Sequence, residues 1–365
     1  MKKICIVSST RAEYGLLRWT IDGVARDPEL ELQLVVSGTH LDPAFGETWR
    51  DIAADGYPIA AKVDMQLESG RKGAVHSMSR CMDGMAEVFE SLQPDLVLVL
   101  GDRYELLPVC SAATVMGIPI AHVAGGECTE GAIDNEIRNA VTMLSTLHFP
   151  NSPEACRELI RMRGSDAWVY NVGEPCIENY LRLELPSREE LAVEFGLDAD
   201  RDWILCTLHP ETRQSLDYNL SMARALVKVL LETSGTEIVF SSANADPGGA
   251  EINAFLAGVD DAHFHLFRSL GQRNYLGMMR EARCVAGNSS SGVIETPFLG
   301  TPAVNIGNRQ KGRRIASNVI CCDSSYEGIK AAFAGAGERK TPDPAFGDGH
   351  TSERIINQIK AFLYE

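Results

Sequence analysis

The sequence predicts an α/β protein built as two Rossmann-like doubly wound domains facing across a cleft, and three observations predict it. Short runs rich in Val, Ile and Leu alternate with longer helical patterns almost throughout. The runs are continuous rather than alternating, which marks strands buried on both faces and hence parallel sheets flanked by helices. The pattern also restarts after about residue 170, as two such domains in series require.

Taken in order, the first-half strands are "KICIVSS", "ELQLVVSG", "PDLVLVLGD", "IPIAHVAGG" and "LHFPNS". The second-half strands are "DWILCTLHP", "TEIVFSSAN", "AHFHLFRS", "RCVAGNSS" and "TPAVNIG". Residues 171–202, with two prolines and many charges, read as the connection between domains. The expected domains are 1–170, 171–348 and a final helix at 349–365. That helix, "TSERIINQIKAFLYE", starts at a Thr/Ser cap with Glu353 near its first turn.

The composition removes several function classes. The chain has 365 residues, of which 45% are hydrophobic and 23% charged, and no low-complexity tract, as a globular protein does. The opening "MKKICIVSST" carries too short an apolar run for a signal peptide and reads as a first strand. No stretch approaches the roughly 18 apolar residues of a membrane span, so a cytoplasmic protein without a membrane partner is expected. Ten scattered cysteines with no C-x-x-C suit a reducing compartment and argue against a structural zinc site. With 50 acidic against 34 basic residues, most of the surface repels nucleic acid, while a local basic pocket still suits a small anion.

In open α/β sheets ligands sit beyond the carboxyl ends of the strands. The residues there are "STRAEYG", "SGTHL", "GDRYE", "HVAGGECTEGAID", "HPET", "SANAD", "GNSSSG" and "GNRQKGR". They collect more Arg, Asp, Glu, His and Ser than turns need. In "GNSSSGVIE", Ser289, Ser290 and Ser291 are placed to cap a helix from about Gly292 toward Phe298, whose free N–H groups favour a phosphate. Glu295 reads either as a partner for a ribose diol or as a carboxylate stabilised by the helix dipole.

Arg309 supplies the bidentate donors that a diphosphate takes, and Lys311 and Arg314 read as a solvated basic loop. Arg11 stands at the first strand-to-helix turn without G-x-G-x-x-G, so a dinucleotide cofactor is not expected. Asp102 reads either as an acid or base or as the cap of a helix near Tyr104. Glu127 and Asp134 flank a Gly-rich turn, with Asp134 a candidate helix cap. Carboxylates from two loops suit proton removal and return. His209, before Pro210, is the best histidine candidate; His122 also follows a strand, and His148, His263 and His265 read as core or sheet residues.

Together these loops, from "STRAEYG" to "NIGNRQKGR", resemble the UDP-N-acetylglucosamine 2-epimerases, specifically the hydrolysing branch of sialic acid and related nonulosonate synthesis. The resemblance implies a glycosyltransferase-B-like fold with the last helix returning to the first domain, a UDP-sugar substrate and a homodimer or homotetramer. It implies no cofactor and no metal. It makes Arg11, His209, Asn244, Ser289, Ser290, Glu295 and Arg309 UDP ligands. Asp102, Glu127 and Asp134 become the carboxylates around the sugar, with His40, Arg103 and Arg138 near them; Asp102, Glu127, Asp134 and His209 form the catalytic set. Some relatives carry a catalytic glutamate two residues after the histidine of "H-x-E-G-G-E", where this chain has Ala124. The implied reaction is loss of UDP to a glycal followed by hydration, on UDP-N-acetylglucosamine or on a UDP-2,4-diacetamido-2,4,6-trideoxyhexose. A non-hydrolysing epimerase and a glycosyltransferase are the alternatives.

Overall fold

The computed structural model describes residues 1–68, 70–127, 133–244 and 246–365. Its chain forms two compact units, Met1–Glu178 with Gly347–Glu365, and Asn179–Phe346.

In the first unit the strands are β1 (Lys2–Ser8), β2 (Leu30–Ser37), β3 (Ile59–Val63), β4 (Leu96–Leu100), β5 (Ile120–Val123) and β6 (Leu147–Phe149). They are all parallel, in the order β3-β2-β1-β4-β5-β6. Helices α1 (Arg11–Arg26), α2 (Trp49–Ala54), α3 (Gly70–Leu92), α4 (Leu106–Val115), α5 (Asp134–Leu144) and α6 (Pro153–Arg163) alternate with them. Successive residues of β1 point to opposite faces, and both faces are buried. Ile4 and Ile6 pack with Leu17 and Ile21 of α1, and Cys5 and Val7 pack with Met85 and Phe89 of α3. That double burial is why the run is continuously apolar.

The second unit repeats the plan. After α7 (Glu178–Arg182) and α8 (Arg188–Phe195) come β7 (Asp202–Thr207), α9 (Leu216–Leu231), β8 (Thr236–Ser241), α10 (Gly249–Ala257), β9 (Phe264–Phe267), α11 (Gln272–Glu281) and β10 (Cys284–Gly287). Two single turns, α12 (Ser291–Ile294) and α13 (Thr296–Leu299), precede β11 (Ala303–Ile306), β12 (Val319–Cys322) and α14 (Tyr326–Gly335). The parallel order β9-β8-β7-β10-β11-β12 is that of the first sheet once its strands are counted from β7. In each unit the order therefore reverses between the first and fourth strands, β1/β4 and β7/β10, which is where an open sheet leaves a crevice.

Three local expectations change. β3 and β12 are edge strands that the apolar-run criterion passes over: β3 exposes Ala60 and Lys62, and β12 is four residues long with Cys321 exposed. The serine run starts no continuous helix. Ser290 occupies the cap position in helical geometry without a side-chain cap bond, and the second turn begins anew at Thr296 beside Pro297, whose ring nitrogen has no N–H to give.

The last helix, α15 (Thr351–Tyr364), is not capped by its own Thr/Ser pair. Thr351 Oγ1 donates to the Val172 carbonyl at 3.0 Å. The Glu178 carboxylate accepts from the Ser352 N–H at 2.8 Å and the Ser352 hydroxyl at 2.5 Å. The cap thus comes from far along the chain. Ile355, Ile356 and Ile359 of α15 complete the core around α1, each burial stabilising by about 1.5–3 kcal/mol. Among the described residues no helix is long and apolar enough to cross a membrane.

Candidate active site

At the β1/β4 switch point the chain leaves β1 through Ser9 and Thr10 into α1. Thr10 Oγ1 accepts from the Glu13 N–H at 3.2 Å, and Glu13 reaches back to accept from the Ser9 N–H at 2.6 Å. This is a reciprocal cap shifted by one residue. Arg11, the first helical residue, is left exposed.

Beyond β4, Arg103 lies over two buried carboxylates, donating to Glu105 at 2.7 Å and standing 3.8 Å from Glu13. Burial pushes the Glu13 carboxyl up to about 7, against the lowering effect of the Ser9 N–H and of Arg103. Sequence reading singled out neither Glu13 nor Glu105. The signal was there, since both are carboxylates five residues past the end of a strand, Ser8 of β1 and Leu100 of β4.

Asp102 does not cap a helix: Glu105 occupies the position before α4, and the Asp102 carboxylate is ion-paired with Arg138. Arg138 is 3% exposed and also donates to the Glu127 carbonyl at 2.7 Å. One guanidinium thus ties the loop after β4 to the loop after β5. Asp134 opens α5, with Ile133 in the cap position, so Asp134 and Arg138 lie one turn apart on one helix face. Residues 128–132 of the Gly-rich turn lie outside the described residues.

Gly126 must be glycine, because it has a φ of +83° and a Cβ there would run into the Ala155 carbonyl. Ala124 also takes a positive φ, +63°, which is uncommon for a residue with a side chain.

Two histidines of this unit hold structure in place. His122 Nε2 donates to the Gly101 carbonyl at 2.7 Å and its Nδ1 lies 3.2 Å from Thr142 Oγ1, so it anchors the residue before Asp102. His40 is buried, with Ser8 Oγ at 2.9 Å and Thr48 Oγ1 at 2.8 Å on its two ring nitrogens. Burial lowers both imidazoles to about 4, which keeps them neutral.

The β7/β10 switch point has the opposite character. Gly287 ends β10 with a φ of +129°, because a Cβ would strike the Thr207 carbonyl of β7. Asn288 then clamps the loop after β7, accepting from the His209 N–H at 2.7 Å and donating to the His209 carbonyl at 2.8 Å. Among the described residues the backbone N–H groups of Ser289, Ser290 and Ser291 meet no acceptor. The Ser291 hydroxyl belongs instead to a chain running from Ser289 (3.0 Å) through Tyr275 (2.7 Å) to Thr207 (3.2 Å).

The Asn244 N–H donates to His209 Nδ1 at 3.1 Å, which fixes the imidazole as the tautomer with its proton on Nε2. The Asn244 side chain turns to Asp246 at 2.6 Å. Burial, helped by Arg309, lowers His209 to about 4, so it offers a neutral N–H donor. Arg309 reaches the Asn288 carbonyl at 3.4 Å; Lys311 and Arg314 are exposed. Glu295 sits between α12 and α13, accepts from the Tyr180 hydroxyl at 3.1 Å, and is pushed up to about 7 by burial, with Tyr180 acting against it.

Residues 22–360 match the family model of UDP-N-acetylglucosamine 2-epimerase. The chain belongs to that family. It is 36% identical over 340 residues to a GDP/UDP-N,N'-diacetylbacillosamine 2-epimerase (hydrolyzing) of Campylobacter jejuni, covering 91% of this chain and 86% of that one. A UDP-N,N'-diacetylbacillosamine 2-epimerase (hydrolyzing) of Legionella pneumophila is 30% identical over 364 residues, with 99% and 96% coverage. The crystal structure of the Neisseria meningitidis UDP-GlcNAc 2-epimerase bound to UDP-GlcNAc superimposes with a TM-score of 0.80 at 15% identity, covering 99% of this chain and all of that one. This last likeness speaks to the fold alone. The fold is thus the glycosyltransferase-B-like one of this epimerase family.

Proposed function

We propose that the protein is a hydrolysing UDP-sugar 2-epimerase, which converts a UDP-2-acetamido sugar and water into UDP and the C2-inverted free sugar. The observation that carries this reading is Arg138, which joins Asp102 to the Glu127 loop from a helix that begins with Asp134. The Asp102 carboxylate, the loop that carries Glu127 and the helix that opens with Asp134 are thereby tied to one guanidinium. The second unit's loops take the UDP. The free amides of Ser289–Ser291, the His209 Nε2–H and Arg309 donate to diphosphate oxygens, and Glu295 accepts from the ribose hydroxyls. Asn244 acts by orienting His209.

In the reaction a carboxylate takes the C2 proton while the C1–O bond to UDP breaks, leaving a glycal. Donors already fixed in place stabilise the charge that develops on the departing diphosphate. Water then adds its oxygen at C1 as a proton returns to the opposite face of C2. Asp102, Glu127 and Asp134 carry these proton transfers, with Arg103 toward the sugar and His40 buried behind it. His209, with Nδ1 occupied and no proton to gain near pH 7, serves as a hydrogen-bond donor to the leaving group.

UDP-N-acetylglucosamine, giving N-acetylmannosamine, is one version. The names of the Campylobacter and Legionella relatives favour the other, a 2,4-diacetamido-2,4,6-trideoxy sugar. Incubating the pure protein with each nucleotide sugar in D₂O, and following free UDP and deuterium at C2, decides. UDP with a C2-deuterated, inverted sugar is expected from one of them. No UDP from either, or UDP only when an acceptor sugar is added, overturns the reading.

A further inference from the structure

We propose that Asn151 and Glu174 are positioning residues for Glu127 and fix its carboxylate for the proton transfer at C2. The inference rests on the epimerase reading above and adds two residues to it. Beside the edge strand β6 runs an extended segment. His148 donates its N–H to the Trp168 carbonyl at 2.8 Å, Tyr170 to the His148 carbonyl at 3.0 Å and Val172 to the Pro150 carbonyl at 3.0 Å. Asn151 and Glu174 therefore both lie just past the carboxyl ends of neighbouring extended segments, and Glu127 follows the next strand, β5.

There Asn151 Nδ2 donates to Glu127 Oε1 at 2.7 Å and to Glu174 Oε1 at 2.5 Å. Asn151 is 3% exposed and Glu174 8%. An amide held between two carboxylates has its orientation decided, because turning its oxygen toward either would set lone pair against lone pair. The cost of that orientation is visible: Asn151 Oδ1 is buried without a hydrogen-bond partner among the described residues. Nothing apolar is gained by gathering these groups at a sheet edge. What is gained is one fixed oxygen on Glu127, three residues beyond Ala124 with its positive φ. Glu174 holds the amide, and the amide holds Glu127.

The test uses the full chain with Glu174→Ala, Glu174→Gln, Asn151→Ala and the Asn151→Ala/Glu174→Ala double variant. The readouts are kcat and KM for UDP release, deuterium incorporation at C2, UDP affinity by calorimetry and thermal unfolding. Glu174→Ala and Asn151→Ala each lower kcat roughly 10- to 100-fold, the scale of a misplaced catalytic group, while UDP affinity stays at the wild-type value. Glu174→Gln, which keeps an acceptor oxygen, recovers most of the rate. The double variant is no slower than Asn151→Ala alone, because Glu174 acts through the amide. Wild-type kcat in Glu174→Ala, losses that multiply in the double variant, or UDP affinity falling in step with kcat each overturn the inference and leave the epimerase reading standing. Absence of UDP release by the wild-type protein overturns both.

Discussion

The two units share one strand order and differ in what their switch points present. At β1/β4 the loops bring carboxylates, Asp102 and the buried pair Glu13 and Glu105, each set against an arginine. At β7/β10 they bring donors: free amides, a histidine held neutral with its proton outward, and Arg309. The backbone plan is common to both, so the difference lies in side chains placed within a few residues of strand ends. A doubly wound sheet supplies the location, and the loop sequence decides whether that location presents carboxylates or hydrogen-bond donors.

This contrast can be broken experimentally. If proton transfer belongs to the first unit and anion binding to the second, Asp102→Asn lowers kcat for UDP release about 10²- to 10⁴-fold and leaves UDP affinity unchanged by calorimetry. A parallel loss of UDP affinity would erase the distinction.

The second unit gives a smaller effect with a sign set by Glu295. Its carboxyl is raised from 4.5 to about 7, so folding favours the protonated form. Its contribution to stability is present below about pH 4.5 and lost as pH rises through about 7. Ribose hydroxyls prefer the ionised form, so UDP affinity rises between pH 6 and 8, by about tenfold for one charged hydrogen bond of roughly 1.4 kcal/mol. Glu295→Gln flattens that rise, and a profile that falls with pH contradicts the assignment. The smallest effect concerns Ala124, whose positive φ strains an L-residue. Ala124→Gly stabilises the protein by about 1 kcal/mol in denaturant unfolding, and destabilisation would show that the methyl group matters more than the backbone.

How much of this the sequence carried depended on burial. Of the ten strands expected from apolar runs all but β9, which is half-buried throughout, are mostly buried, whereas β3, "IAAKV", exposes Ala60 and Lys62 and β12, "VICC", is short and exposes Cys321. A strand packed on one face only loses the continuous apolar composition of a strand packed on both. Asp102, Glu127, His209 and Arg309 drew attention because they stand two to four residues past the ends of β4, β5, β7 and β11, where an open sheet leaves its crevice. Glu174 was hidden because its segment pairs with β6 through only a few bonds and reads as a linker. The serine run misled in a different way. Serine's capping preference is an average over helices, and here the Ser291 hydroxyl joins Tyr275 while the main-chain N–H groups of Ser289–Ser291 meet no acceptor among the described residues. The tautomer of His209 depends on a contact with Asn244 across 35 positions, which no local pattern encodes.

The return of α15 has a consequence for biogenesis. The second unit is an insertion between Glu178 and Gly347 of the first, and the isoleucines that close the first core belong to residues 351–364. During synthesis the amino-terminal sheet emerges first, yet it waits for the whole second unit to leave the ribosome before its outer layer is complete. Until then the apolar flank of α1 stays exposed, and the nascent chain carries a sticky half-finished surface of the kind that chaperones bind.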